Sequence, residues 1–236
     1  MKTVVILLAW KRINGLQKTL QLLNNQTNKD FDIHVSNGNL PMSADVDRIV
    51  DKMNNHLGLK VKVTHDGNDY GPFRRFHVAR DYAQNGYDRA IFIDDDVKFP
   101  TDLVQRLQDA YEDKTFGSVY TWSFQDGGSD YYGKRTRVFS NDANIKYVGT
   151  GVSIVDTSLF KNKKFFNPPE TAYNIDDLWL CYYADHVLGW KLKYINHSNI
   201  VIGGGDSVAL YVRLKRSRVA NKAVFLRLLV SMGWKV

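Results

Sequence analysis

Three consecutive aspartates, Asp94, Asp95 and Asp96 (the aspartate trio), follow directly on the apolar stretch 91–93. Adjacent carboxylates repel one another, and partial burial at the end of a strand increases that repulsion. A divalent cation bound to two of them would remove it, and carboxylate oxygens suit Mg²⁺ or Mn²⁺ better than Zn²⁺. Because Mg²⁺ completes its coordination with phosphate oxygens and water, the trio predicts a metal site for a phosphate-bearing substrate. A solvated loop of acids is the alternative interpretation.

The elements that precede the trio alternate between strands and helices. Short apolar runs predict strands, and apolar residues at helical spacing predict helices, in the order strand 3–9, helix 14–25, strand 31–36, helix 43–56, strand 59–64, helix 72–85 and strand 91–93. This alternation is typical of a parallel sheet with helices on both faces. Such sheets bind ligands outside the carboxyl ends of their strands, which is where the trio lies.

The second half of the chain is less regular. Its patterns predict a helix over 101–113, a strand over 117–124, a loop over 125–146, a strand over 147–155, a helix over 176–188 and a strand over 190–195. The glycines at 203–205 predict a hinge before a final basic helix. The expected fold class is therefore a single α/β domain with a mostly parallel central sheet, helices on both faces and a C-terminal helical tail.

Composition restricts the class of protein. The chain has 236 residues, of which 44% are hydrophobic, enough for one large domain with a packed core. A single cysteine, Cys181, excludes an internal disulfide framework. Neither a secretory leader nor an apolar stretch of roughly 18 to 20 residues, the length a membrane span needs, is recognisable. We therefore expect a cytoplasmic protein.

The positive charge is unevenly distributed. The formal net charge is +7, and segment 206–236 contains seven basic residues against a single acid. Apolar residues are interspersed among these charges, which predicts a basic amphipathic tail. The tail either packs on the domain formed by residues 1–205 or makes peripheral contact with an anionic membrane.

Segment 68–100 shows an ordered set of motifs: Asn68, then Gly71, then Ala79-Arg80-Asp81, then a helix and an apolar strand that ends in Asp94-x-Asp96. This order and spacing resembles the nucleotide-sugar-binding half of GT-A-fold glycosyltransferases of the family-2 type. The resemblance extends from the first strand to about residue 197. It implies a Rossmann-like GT-A domain with a nucleotide-sugar-binding half (1–100) and an acceptor-binding half (101–205).

The resemblance also implies roles for the trio. Asp96 would ligate Mn²⁺ or Mg²⁺, Asp94 would bind the metal or the donor's ribose, and Asp95 would lie beside the sugar. Arg80 would bind the donor's phosphates or hold the aspartates, because a guanidinium suits phosphate and carboxylate alike. Arg75 is a further candidate for the donor site, although Arg75 and its neighbour at position 74 would also fit a solvated helix face.

The nucleobase would be lined by the loop after the first strand, which includes Ala9, Trp10 and Arg12, with Asn68 nearby. Members of the family often carry an acid after the second strand, where this chain has Ser36-Asn37-Gly38-Asn39. Uracil or thymine can still be recognised by backbone groups and the amide of Asn37. UDP is therefore the expected nucleotide.

A second acidic pair, Asp176 and Asp177, begins a predicted helix. Acids in a first helical turn can simply interact with the helix dipole. In inverting glycosyltransferases that resemble this chain, such a pair supplies the base that deprotonates the acceptor hydroxyl. The alignment assigns that role to Asp177, with Asp176 as its neighbour and substitute. A base beside a second carboxylate is expected to have a raised pKa.

Three further features are candidates for the site. His197 would bind the metal or the diphosphate, although a lone histidine is more often structural. The turn Gly149-Thr150-Gly151 would face donor and acceptor. The rings of Trp122, Tyr131 and Tyr132 would stack on sugars, with core packing as the alternative for Trp122.

The expected function is metal-dependent transfer of a sugar from a nucleotide-diphosphate sugar to a hydroxyl of a glycan or glycoconjugate, with inversion, in polysaccharide biosynthesis. A metal-dependent nucleotidyltransferase is the first alternative, but residues 10–15 are a poor version of its Gly-rich basic loop. A non-enzymatic, basic-tailed protein that binds membranes or nucleic acid is the second. It leaves the trio unexplained, so no nucleic-acid partner is expected.

Overall fold

The computed structural model describes residues 1–125, 127–128, 130–202 and 221–236. Its twelve described strands are β1 (Thr3–Ala9), β2 (Asp32–Asn37), β3 (Val61–His65), β4 (Arg89–Ile93), β5 (Val97–Lys98), β6 (Thr115–Ser118), β7 (Thr121–Phe124), β8 (Arg135–Arg137), β9 (Tyr147–Val148), β10 (Val152–Asp156), β11 (Lys191–Tyr194) and β12 (Val201–Ile202). The described α-helices are α1 (Ile13–Asn24), α2 (Ser43–Leu57), α3 (Arg74–Gln84), α4 (Leu103–Asp109), α5 (Asp176–Cys181) and α6 (Lys222–Ser231).

Seven strands form the central sheet in the order β11-β6-β10-β4-β1-β2-β3. Strand β10 is antiparallel to both of its neighbours, and the other pairs are parallel. In the register, Ala9 lies opposite Asn37 and Leu7 lies opposite Ile93. The carboxyl ends of β1, β2 and β4 therefore meet at one edge of the sheet, and the predicted mostly parallel α/β fold is confirmed.

Alternating side chains of the buried strands supply two hydrophobic cores. In β4, Ala90 and Phe92 belong to one core, while Ile91 and Ile93 belong to the other. The first core also contains buried residues of α3, α5 and α6, and the second contains those of α1, α2 and α4. Because helices cover both faces of the sheet, its strands are apolar on both faces.

Residues 101–205 depart from the predicted elements in several places. The predicted strand 117–124 is two strands, β6 in the central sheet and β7 in a three-stranded sheet with β8 and β9. The predicted strand 147–155 is likewise divided into β9 and β10 at residues 149–151. Strand β8 lies inside the predicted loop, and the predicted helix 176–188 is α5 followed by a π-helix over Tyr182–Val187. Each strand of the second sheet contributes a residue to a cavity that Asp94 and Asp96 also line: Trp122 of β7, Arg135 of β8 and Tyr147 of β9.

The described part of the tail packs on the domain. Phe225, Leu226 and Leu229 of α6 are buried in the first core, and Trp234 joins them beyond the end of the helix. The predicted hinge at 203–205 and residues 206–220 of the predicted tail lie outside the described residues. Among the described residues, none of the helices combines the length and the hydropathy needed to cross a bilayer.

Candidate active site

The aspartate trio lies at the carboxyl end of β4 and is held by two arginines. The backbone N–H of Asp94 donates to the carbonyl of Gly151 (2.9 Å), and both terminal nitrogens of Arg75 lie 3.2 Å from Asp94 Oδ1. Arg12 Nη1 lies 2.8 Å from Asp95 Oδ1 and 3.1 Å from Asp96 Oδ2. Burial, opposed by Arg12, raises the pKa of Asp95 to about 6. The mutual repulsion predicted from the sequence is therefore reduced by guanidinium groups on two sides.

The second acidic pair is more deeply buried than the trio. Asp176 Oδ2 lies 3.0 Å from Arg75 Nε, and burial raises the pKa of Asp176 to about 6. Asp177 accepts hydrogen bonds from the Lys222 ammonium, the Tyr147 hydroxyl and the backbone N–H of residue 178. Burial acts to raise the pKa of Asp177, but Lys222 and these hydrogen bonds outweigh it and hold the pKa below its usual value. The expectation of a raised pKa is correct for Asp176 and wrong for Asp177, because the sequence did not reveal the lysine.

Arg75 joins the two acidic groups. Its side chain is buried and contacts Asp94 through its terminal nitrogens and Asp176 through Nε. The alternative of a solvated helix face is therefore wrong for Arg75. It is also wrong for Arg74, which is buried and donates to the carbonyls of Asp66, Asn68 and Gly71.

Arg80 lies elsewhere on the same helix. Its guanidinium is 3.6 Å from Asp81 and lies over the ring of Phe166, 4.8 Å from the ring centroid. The guanidinium that reaches the trio from α3 is instead that of Arg75. The structure thus brings Arg75, and not Arg80, together with the acids.

A cavity of about 320 Å³ opens between the trio and the pair. Its lining is rich in aromatic side chains and includes the 149–151 turn; the residues are Asp94, Asp96, Val97, Tyr120, Trp122, Tyr131, Tyr132, Arg135, Tyr147, Gly149, Thr150, Gly151, Asp177 and Lys222. Trp122 stacks on Tyr147 with ring centroids 4.8 Å apart, and Arg135 lies over both Trp122 (5.2 Å) and Tyr131 (4.5 Å). The three aromatic residues predicted to stack on sugars all line this cavity.

The ends of β1 and β2 form a neighbouring polar recess. Gly38 N–H donates to the carbonyl of Ala9 (3.2 Å), and the Asn39 amide donates to the carbonyl of Trp10 (2.8 Å). Asn37 is buried, and its amide bonds to Asn39, Ser43 and His65. A side chain at Gly38 would overlap the guanidinium of Arg74 and displace it from the carbonyls of Asp66, Asn68 and Gly71. These contacts hold the loop after β1 against the loop after β2, and the ring of Trp10 is exposed.

Asn68 and His197 lie at the periphery. Asn68 is exposed, and its carbonyl accepts from Arg74. His197 is exposed, and its Nδ1 is 2.7 Å from the Tyr194 hydroxyl. Among the described residues, no group of three or more His, Cys, Asp or Glu side chains is close enough to hold a metal ion. Asp94, Asp96 and His197 are therefore not gathered into a three-ligand centre.

Five residues that line the cavity were not predicted as part of the site: Val97, Tyr120, Arg135, Tyr147 and Lys222. Tyr147 lay inside a predicted strand, and Arg135 inside a predicted loop. Lys222 was counted only as one charge of the tail. An isolated lysine or tyrosine has no sequence signal that reports its distant partner, since Lys222 and Asp177 are 45 residues apart.

A mostly parallel sheet whose strand ends carry acids beside an aromatic cavity is the arrangement predicted for an α/β protein of the GT-A class. The sequence model of glycosyl transferase family 2 matches residues 4–181. The chain therefore belongs to glycosyl transferase family 2, which confirms the resemblance and the enzyme class that the motifs predicted. No curated protein matches the chain in sequence.

Solved structures share the fold at low identity. S. aureus TarS 1-349 in complex with UDP is 17% identical, with a TM-score of 0.52 over 78% of this chain and 55% of TarS 1-349. The Pyrobaculum calidifontis mannosyltransferase PcManGT in complex with GDP-Man and Mn²⁺ is 11% identical, with a TM-score of 0.60 over 98% of this chain and 68% of that one. The chain thus spans about half the length of the TarS chain.

A third match belongs to a different enzyme class. A Bacillus anthracis protein described as a glucose-1-phosphate thymidylyltransferase is 14% identical, with a TM-score of 0.54 over 85% of this chain and 89% of that one. The fold alone therefore does not separate sugar transfer from nucleotidyl transfer. The family match makes that distinction.

Proposed function

We propose that this protein transfers a sugar from a UDP-sugar to a hydroxyl of a glycan or glycoconjugate acceptor, with inversion at the anomeric carbon. The observation that carries the proposal is the buried Arg75, which contacts Asp94 of the trio and Asp176 of the pair. It holds a candidate phosphate site and a candidate base close together at one aromatic cavity. Family membership supports the class of reaction, and the complex of TarS with UDP supports the nucleotide.

The residues at the trio fit a divalent cation. Asp94 and Asp96 supply hard oxygen donors at the mouth of the cavity, and one or two carboxylates plus phosphate oxygens are what Mg²⁺ or Mn²⁺ takes. His197, the third predicted ligand, lies at the periphery, where its Nδ1 is 2.7 Å from the Tyr194 hydroxyl, and is not part of this proposed set. When bound, the cation would stabilise negative charge on the diphosphate.

The protein groups have separate roles in the proposed reaction. The acceptor oxygen attacks the anomeric carbon on the face opposite the diphosphate, and its proton passes to the carboxylate of Asp177. The bond from the anomeric carbon to the diphosphate oxygen breaks, and its electron pair leaves with UDP. Arg12 and Arg75 place positive charge beside the trio, where the leaving group's charge develops. The rings of Trp122 and Tyr132 exclude water and orient the sugars.

The recess at the ends of β1 and β2 is the proposed uridine site. Trp10 contributes an exposed ring to it. Asn37 is fully buried and acts by fixing the loop beside Ala9 through its bonds to Asn39, Ser43 and His65. Asn68 borders this recess through the loop that Arg74 holds. Asp95 and Arg12 lie between it and the cavity, on the side proposed for the sugar and phosphates. Arg80 is proposed to act on the donor only at longer range, since its nearest contacts are Asp81 and Phe166.

A thermal-shift screen of UDP-, GDP- and dTDP-sugars with and without Mn²⁺ tests the proposal. A ligand at 100 times its Kd adds about 2.7 kcal/mol of stability, which corresponds to a rise in Tm of roughly 5 to 10 °C for a chain of this size. We expect that rise for a UDP-sugar, and only with the metal present. An unchanged Tm for every sugar nucleotide would contradict the proposal. Stabilisation by a nucleoside triphosphate with a sugar phosphate alone would instead favour the nucleotidyltransferase.

Helix α6 supports the peripheral membrane contact expected from the sequence. Val224, Leu228 and Met232 are 40–41% exposed and recur every four residues, on the side away from the core. Arg227 and Lys235 flank this apolar stripe. We propose that the stripe rests on an anionic membrane. Sedimentation with phosphatidylserine vesicles should fall for the Leu228→Ser/Met232→Ser variant and not for Leu57→Ser, which removes an exposed leucine of α2. Equal sedimentation of both variants and the native protein would exclude the stripe as the membrane contact.

A further inference from the structure

Lys222 is the first residue of α6 and lines the same cavity as Asp94, Asp96 and Asp177. It donates to Asp177 Oδ2 and lies 2.8 Å from the Tyr147 hydroxyl. The family match ends at residue 181, so this lysine comes from a part of the chain beyond the matched residues. The tail therefore contributes a charged group to the site.

The helix that carries Lys222 is firmly attached to the domain. Phe225, Leu226 and Leu229 are almost completely buried in the first core. The side chain of Asn221 caps the helix by accepting from the N–H of residue 223 (2.8 Å). Beyond the helix, the Trp234 indole donates to Asp185 (2.8 Å). Displacing Lys222 would require exposing this core, so the lysine is a constant part of the site and not a removable blocking group.

The surroundings of Asp177 require a cation. On its own helix, Asp176 adds a second negative charge and Cys181 adds an apolar neighbour. The rings of Tyr147 (β9) and Tyr131 (the loop before β8) add hydroxyls but no positive charge. Arg75 of α3 also faces Asp177 but contacts Asp94 and Asp176 directly. Among the described residues, Lys222 is the cation in direct contact with Asp177.

We propose that Lys222 is a positioning residue of the transferase site: it keeps the buried Asp177 ionised and fixes the orientation of its carboxylate toward the cavity. This inference rests on the proposed function, in which Asp177 accepts the acceptor's proton. A protonated Asp177 cannot accept it, and burial next to Asp176 favours protonation. Lys222 weakens the carboxylate as a base but keeps it charged. It remains protonated throughout, and no bond to it forms or breaks.

The first test is a carboxyl ¹³C NMR titration, which needs no substrate. Asp177→Asn identifies the Asp177 signal. We expect that signal to titrate below the ordinary range in the native protein and more than about one pH unit higher in Lys222→Met, since a nearby opposite charge lowers a carboxyl pKa by about 1 to 3 units. Lys222→Arg should keep the low value, and Lys235→Met, which removes an exposed charge of the same segment, should not change it. An Asp177 signal that titrates alike in Lys222→Met and the native protein would overturn the inference.

The second test is the pH dependence of turnover with the UDP-sugar found by thermal shift. In Lys222→Met, the acidic limb of the kcat profile should move to higher pH by about one to three units, as the Asp177 signal does. Below that limb, kcat should fall about tenfold for each pH unit, because only the ionised carboxylate accepts the proton. The KM for the donor should stay unchanged, because the trio is intact. If Lys222→Met does not fold, Lys222→Gln removes the same charge, and the acidic limb of its kcat profile should move in the same way.

The two tests distinguish failure of the inference from failure of the proposed function. Absence of sugar transfer by the native protein with every donor would defeat the proposed function, and the inference with it. Transfer by the native protein together with an unchanged acidic limb and kcat in the neutral Lys222 variants would defeat the inference alone.

Discussion

The two acidic groups of the site differ in how they are buried and compensated. The side chain of Asp94 is 40% exposed, whereas that of Asp176 is 7% exposed. The trio has arginines on two of its sides and opens on the mouth of the cavity. In the pair, Asp176 meets Arg75, and Asp177, which lines the cavity, meets Lys222.

This difference shows how identical side chains acquire separate tasks. Carboxylates at the mouth can exchange an arginine contact for a cation or a phosphate that arrives with the substrate. The buried carboxylates of the pair are confined to fixed partners, so their protonation is set by the protein. The adjacent Asp176 and Asp177 have pKa values shifted in opposite directions, since their nearest cations differ in geometry and in how many acids they serve.

The largest expected effect is the loss of turnover when either acidic group is neutralised. Asp96→Asn and Asp177→Asn should each lower kcat/KM by about 10³-fold, since one removes phosphate-side charge stabilisation and the other removes the base. Release of UDP from the donor in the presence of acceptor measures this. Asp51→Asn, an exposed acid on α2, is the control and should retain native activity. Native-like turnover in either site variant would show that its group is not part of the reaction.

Breaking the link between the two groups should have the next largest effect. Arg75→Met leaves the buried Asp176 without its ion pair, which we expect to cost about 3 to 5 kcal/mol in the free energy of unfolding. Arg80→Met on the same helix should cost much less, because Arg80 is partly exposed. Urea unfolding of both variants measures the difference. Adding Asp176→Asn to Arg75→Met should restore part of the loss, and strict additivity would argue against a direct interaction.

The contrast within the pair should appear in the pH dependence of stability. The pKa of Asp176 is raised to about 6, so between about pH 4 and 6 the unfolded chain releases this proton before the folded one does. The native protein therefore loses stability from this group as pH rises through that window, on the order of 2 kcal/mol. In Asp176→Asn, this part of the pH dependence of the free energy of unfolding should be absent. Urea unfolding of both proteins at pH 4.5 and 7 would measure the difference. An identical pH dependence in both proteins would contradict the raised pKa.

The smallest expected effect concerns the Tyr120 hydroxyl. It is buried at the cavity and has no hydrogen-bond partner among the described residues. A buried polar group without a partner costs about 1 to 3 kcal/mol, so Tyr120→Phe should be as stable as the native protein or slightly more so. If the hydroxyl binds the donor sugar, the KM for the donor should rise in the same variant. A loss of stability in thermal unfolding would show that the hydroxyl is already satisfied.

The sequence predicted the regular half of the molecule better than the irregular half. Short-range patterns mark the ends of two strands: β4 ends at the trio, and β2 ends at the turn Asn37-Gly38. These two ends were enough to predict which edge of the sheet carries the candidate site. The division of segment 117–124 into two strands was not predictable, since a continuous apolar run does not indicate which sheet each residue joins.

Side-chain partners were harder to predict than elements. Arg75 and Arg80 are five positions apart and so cannot occupy the same face of α3. Only packing shows that Arg75 is the one that faces the acids. The contact of Lys222 with Asp177 depends on how α6 packs on the core, which no local pattern in the chain reports.

In the proposed reaction, the trio binds the donor and the pair acts on the acceptor. Calorimetric titration of the UDP-sugar in the presence of Mn²⁺ into Asp96→Asn and Asp177→Asn tests it most directly. We predict that Asp177→Asn binds the donor with native affinity while transferring no sugar, and that Asp96→Asn gives no metal-dependent heat of binding. Loss of donor binding in Asp177→Asn, or native binding in Asp96→Asn, would contradict this division of roles.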